Sequence, residues 1–82
     1  MSGTPNRKAT GQILYRLADN VKRMRAARGY TQDELARICG FKKSYVSRVE
    51  QAIVNITLAN LQTLAQGLGC TESELLGRRA QP

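Results

Sequence analysis

Eighty-two residues limit this chain to one small domain with a modest core, and with one Phe and no Trp that core must be aliphatic. Thirteen Lys and Arg against six Asp and Glu give a formal charge of +7 and a sequence pI near 10.1, an excess that favours polyanions and, in a small basic domain, nucleic acid above all. The absence of His and of any CxxC spacing argues against a metal site, and nothing implies a cofactor.

The opening MSGTPNRKATGQ lacks the apolar stretch of a signal peptide, and no run approaches the length of a membrane span. A cytoplasmic, nucleoid-associated protein with no membrane partner is expected. Residues 1–11, rich in Ser, Gly, Thr, Pro and Asn and carrying Arg7 and Lys8, read as a flexible N-terminal arm. Such an arm is either a solvated tail or a basic strand for the DNA minor groove.

From Gln12 to Arg28, Leu14, Leu17, Ala18, Val21, Met24 and Arg25 step by three and four, the signature of a helix with one apolar face. Gly29 can close it. Arg25 breaks the apolar pattern, because it falls on the inward side. Tyr30 then reads as a core plug whose hydroxyl reaches the surface.

Thr31 and Glu34 have the spacing of a capping box, and Leu35, Ala36 and Cys39 make a short apolar stripe that ends at Gly40. Gln32, at the start of this second helix, stands where amide donors point outward together and suits a DNA phosphate. Cys39 and Cys70 read as small buried hydrophobes and not as a bridge.

A third helix starts at Lys42. Val46, Val49 and Ile53 are expected to face inward, which puts Lys43, Ser44, Ser47 and Arg48 on the opposite side. Lys43 can donate to guanine O6 and N7 or thymine O4, and Arg48 can fork onto guanine. Ser44 can reach a base edge only if the helix N-terminus enters deeply, Ser47 on the same side can contact a base or a phosphate, and Lys42 suits a phosphate. Tyr45 is left between half-buried support and a phenol that reaches a backbone phosphate or a thymine methyl. One apolar and one short cationic stripe fit a helix for the major groove of double-stranded DNA.

Thr57 caps a fourth helix whose apolar stripe is Leu58, Leu61, Leu64, Ala65 and Leu68, with Asn60 on its early exposed side and Gly69 at its end. Thr71 and Glu74 repeat the capping box for a fifth, short helix holding Leu75 and Leu76. One leucine can complete the core while the other, left exposed, invites a two-fold partner. Both are taken as dimer-interface candidates. Residues 78–82 read as a tail, leaving 12–77 as the domain.

The segment from Thr31 to Gln51 resembles the helix-turn-helix of the phage-repressor and Cro-like (XRE) family. The matching residues are Gln32, Leu35-Ala36, Gly40, Ser44, Val46 and Val49-Glu50, and the resemblance extends from about Leu17 to Leu76. Lys43 to Ser47, Val49-Glu50 and Asn55 to Leu58 are most similar to the small controllers of restriction–modification systems. The resemblance implies a lambda-repressor-like bundle of five helices, all α, and a bacterial, plasmid or phage origin. It further implies an ion pair between Arg25 and Glu50, phosphate contacts from Gln32 and from Asn55 in its exposed loop, a DNA contact from Tyr45, and dimers formed through the C-terminal end. Ala52 departs from it, since most members have Gly there. Either the backbone is kept at a cost of about 1 kcal/mol or the third helix runs on.

The expected function is a homodimeric, sequence-specific transcriptional regulator on an inverted repeat. Autoregulation fits a chain this short, RNA polymerase is a possible partner, and a restriction–modification controller is the particular reading. The alternative is an antitoxin that binds a toxin protein as well as its own promoter. No His, carboxylate cluster or Gly-rich phosphate loop supports an enzyme.

Overall fold

The computed structural model describes residues 7–78, with side chains from residue 11 onward, and these form five α-helices and no strand. They are α1 (Arg7–Ala27), α2 (Gln32–Cys39), α3 (Lys43–Glu50), α4 (Leu58–Leu68) and α5 (Glu72–Leu76).

The chain's own punctuation sets these limits. Thr31, Thr57 and Thr71 stand in extended backbone, and each hydroxyl accepts the N–H three residues on. Around Thr31 and Thr71 the bond is returned by Glu34 and Glu74, completing both capping boxes. At the other ends, Gly29, Gly40 and Gly69 turn left-handed. The residue after each donates back across the last turn, Phe41 N to Ala36 O at 2.8 Å and Cys70 N to Ala65 O at 2.9 Å, which is a Schellman closure.

α3 ends in the same way on a residue with a side chain. Ala52 has φ 60, its N–H reaches Val49 O at 3.1 Å, and Ile53 N reaches Arg48 O at 3.2 Å. The family's backbone is therefore kept and the helix does not run on. Ile53 is displaced by this turn: it lies 63% exposed instead of facing the core, because its helical register ends at Gln51.

α1 packs against α3, α4 and α5, and α2 against α3 and α4. Leu17, Val21, Leu35, Val46, Leu64, Leu68 and Leu75 fill the space between them. A fully buried leucine contributes about 1.5–3 kcal/mol, so this small aliphatic set is enough to organise the bundle. Gly67 lets α4 approach α2: a Cβ there would stand 2.7 Å from Cys39 Sγ. Cys39 and Cys70 are free and half-buried, and burial pushes both thiols up, away from the reactive thiolate.

Three further expectations change. α1 begins at Arg7, ahead of the apolar pattern that starts at Gln12, in a stretch where Arg, Lys and Ala have high intrinsic helix propensity. The arm expected over residues 1–11 thus overlaps α1, and its first six residues, like tail residues 79–82, lie outside the described residues. Leu75 is wholly buried, so it completes the core and cannot belong to a dimer face. Leu58, expected inside, is 82% exposed in the first turn of α4, beyond the buried part of its stripe.

Candidate nucleic-acid interface

α2 and α3 meet around the turn at Gly40 and Phe41, and a buried ion pair fixes α3 from below. Arg25 Nε donates to Glu50 Oε2 at 2.6 Å and Nη2 to Oε1 at 3.1 Å, while Nη1 donates to Tyr30 O at 2.8 Å. Glu50 has 3% of its side chain exposed and Arg25 19%. The fork spreads one carboxylate over two donors, which compensates its desolvation. The bond to Glu50 outweighs burial and raises the Arg25 pKa above its ordinary value.

Gln32 joins the same carboxylate, donating from Nε2 to Glu50 Oε1 at 3.0 Å. This half-buried amide is therefore held at the head of α2. Nε2 carries two hydrogens, so one remains for an outside acceptor such as a phosphate oxygen.

The outward side of α3 carries Lys43, Ser44 and Arg48, all exposed, with Ser47 half-exposed beside them. Gln51 Nε2 donates to Ser47 Oγ at 2.8 Å, which leaves the Ser47 hydroxyl hydrogen free. Gln51 was not singled out by the sequence, although a Ser and a Gln four residues apart on a helix are neighbours. The N-cap of α3 is Lys42, in extended backbone and with no capping bond from its side chain, whereas α2, α4 and α5 each start on a bonded threonine. The first N–H groups of α3 therefore remain open, at the positive end of the helix dipole.

Tyr45 is both support and surface. Its ring meets Phe41 edge-on with centroids 4.9 Å apart, and its hydroxyl accepts from Asn60 Nδ2 at 2.9 Å. Asn60 is thus tied to α3 instead of standing free on the surface of α4. The Tyr45 hydroxyl keeps its own hydrogen to donate. Asn55 is exposed in the loop between α3 and α4, at the edge of an apolar groove lined by Ile13, Leu14, Ile56, Leu58 and Leu76. Leu76 is half-buried in that groove. Among the described residues no cluster of His, Cys, Asp or Glu could hold a metal ion, and no helix is long and apolar enough to cross a membrane.

Two short helices joined by a glycine turn, the second braced from behind and presenting cations in front, define a helix-turn-helix domain. A family model described as helix-turn-helix matches residues 21–75. The chain belongs to this family, in its XRE class, a class of DNA-binding transcription regulators. It is 43% identical over 60 residues to a hypothetical transcription factor of Neisseria meningitidis serogroup B; the match spans 73% of this chain and 57% of that relative. The crystal structure of the hypothetical transcription factor NHTF from Neisseria superposes with a TM-score of 0.77 at 36% identity, over 93% of this chain and 84% of that one. The restriction–modification controller C.AhdI from Aeromonas hydrophila superposes with a TM-score of 0.73 at 34% identity, over 76% of this chain and 94% of that one.

Proposed function

We propose that the protein is a sequence-specific transcription regulator that binds double-stranded DNA as a homodimer on an inverted repeat. The observation that carries this reading is the outward face of α3, where Lys43, Ser44 and Arg48 are exposed together beside an uncapped helix N-terminus. Entering the major groove there, Arg48 and Lys43 read base edges, Ser44 and Ser47 add short contacts, and Lys42, Gln32, Tyr45 and Asn55 hold phosphates on either side.

One such helix reads too few base pairs to select a site, so a second copy is needed. The groove lined by Ile13, Ile56, Leu58 and Leu76 is the face on which it sits, since it leaves apolar side chains open to water. Two copies then address half-sites about one helical turn, or a multiple, apart. The similarity to C.AhdI supports the narrower reading of a restriction–modification controller that acts on its own promoter. It acts in the cytoplasm on nucleoid DNA, and as an activator it would touch RNA polymerase.

Sedimentation equilibrium of the full chain, joined to footprinting on DNA upstream of its own gene, tests this. The reading expects a dimer and two protected half-sites. A monomer at the concentration that protects DNA, or one unrepeated protected patch, contradicts it.

A further inference from the structure

Asn20 is 1% exposed in the middle of α1. Its Nδ2 donates to Leu75 O at 2.7 Å, to Gly77 O at 2.9 Å and, at longer range, to Glu74 O at 3.3 Å. Its Oδ1 accepts from Arg23 Nη2 at 2.7 Å, a charged donor that polarises the amide and strengthens its bonds on the other side.

These bonds replace something that α5 lacks. α1 to α4 each close through a left-handed residue and a backbone bond across the last turn. α5 ends instead on Gly77 in extended backbone, φ −76 and ψ 160; its N–H closes the last turn onto Ser73 O at 2.8 Å, and a Cβ there would lie 2.9 Å from the same oxygen. Five residues are far too few to hold a helix by themselves. The Glu74 and Leu75 carbonyls, which that bond does not reach, therefore depend on one side chain of α1, and α5 carries Leu76. That leucine lines the groove shared with Ile13 and Leu58, and also the adjoining one formed by Ala59, Gln62 and Glu72.

We propose that Asn20 is the positioning residue of the self-association face: by holding the end of α5 it sets Leu76 against Leu58 and Ile13, ready for a second copy. The proposal rests on the dimer reading given above. Leu75 anchors α5 in the core while Leu76 beside it is only half-buried, so packing alone leaves the end of a five-residue helix loosely held. The amide of Asn20 removes that freedom, so its loss loosens the dimer before it disturbs α2 and α3, which Asn20 does not bond.

The test uses the full chain as wild type, Asn20→Asp, Asn20→Ser and Leu76→Ala. Asn20→Asp keeps the shape but turns an oxygen towards three carbonyl oxygens, and Asn20→Ser keeps one shorter donor. Dimer dissociation is measured by sedimentation equilibrium and the protection of individual amides by hydrogen exchange. Asn20→Asp is expected to weaken the dimer by about tenfold or more, with protection lost in α5 and kept in α3; Asn20→Ser falls between it and wild type. Should Asn20→Asp fail to fold, Asn20→Ser is read by the same two criteria. Leu76→Ala is expected to weaken the dimer with α5 still protected, which separates the position of α5 from the contact it delivers. A folded Asn20 variant that dimerises as wild type overturns the proposal, and so does protection falling equally in α3 and α5. A wild type that never dimerises overturns the dimer reading itself, and that arm is independent of every variant.

Discussion

Arg25 and Glu50 form a two-bond fork between α1 and α3, with the carboxylate almost wholly removed from water. The two halves of the pair are not equivalent. Arg25→Ala leaves a buried carboxylate with the Gln32 amide as its remaining side-chain donor, which loses about 3–5 kcal/mol of stability. Glu50→Gln leaves a guanidinium that still donates to Tyr30 O and reaches water with part of its surface, so the loss is smaller. Urea denaturation of both variants checks the order, and a larger loss for Glu50→Gln contradicts it.

Arg48 is exposed on α3 and Gln32 is half-buried at the head of α2, and on the proposed reading the two should fail differently. Arg48→Ala is expected to cost about 1–3 kcal/mol on the specific site and to relax preference at one base pair. On the proposed reading Gln32→Ala removes a phosphate donor, so it should weaken specific and scrambled duplexes alike. Fluorescence anisotropy on both duplexes reads the difference. Equal losses on the two duplexes from both variants would remove Arg48 from the base-reading set.

Ala52 holds a left-handed backbone that the three other Schellman closures give to glycine. A side chain there costs roughly 1–2 kcal/mol, partly offset by the greater freedom that glycine has in the unfolded chain. Ala52→Gly is therefore expected to stabilise the domain by about 0.5–1 kcal/mol with unchanged DNA specificity. A lower denaturation midpoint would contradict the strain assigned to Ala52.

Much of this architecture was legible because its signals are local. Thr31 with Glu34 and Thr71 with Glu74 announce helix starts within four residues, and Gly29, Gly40 and Gly69 announce ends. The stripe of α2 and the Val46–Val49 side of α3 follow from a single helical period. Arg25 stood out as a charge on an apolar face, and the family resemblance named Glu50 as its partner.

What the sequence concealed depends on neighbours distant along the chain. Asn20 looks like any polar helix residue until α5, more than fifty residues later, presents its carbonyls. Leu58 continues an apolar stripe without a flaw, and only the arrangement of α1 and α5 leaves it in water. Leu75 and Leu76 are indistinguishable as a pair, and the rotation of a five-residue helix decides which one is core. Ile53 was misplaced by extending α3 past a turn that Ala, unlike Gly, does not advertise.

The capping boxes make the domain acid-sensitive in a defined way. The backbone N–H of Thr31 first, then its hydroxyl, holds the Glu34 carboxyl below its ordinary range, and Thr71 does the same for Glu74. A lowered folded pKa means stability that is fully present above the ordinary carboxylate value, about 4.3, and is lost as pH falls through the lower folded value. Thermal melting between pH 6 and about pH 3 should show a shallower acid decline in the double variant Glu34→Gln, Glu74→Gln than in wild type. An unchanged acid limb would show that other carboxyls govern it.

The central claim is that the cations on α3 read sequence as a pair of copies. Selection from random duplex DNA, followed by titration of the selected site against scrambled DNA at two salt concentrations, addresses it directly. An enriched inverted repeat whose affinity advantage survives the rise in salt is the expected result. No enrichment, with binding to every duplex vanishing together as salt increases, would mean that the charge acts only on the phosphate backbone and would contradict the account.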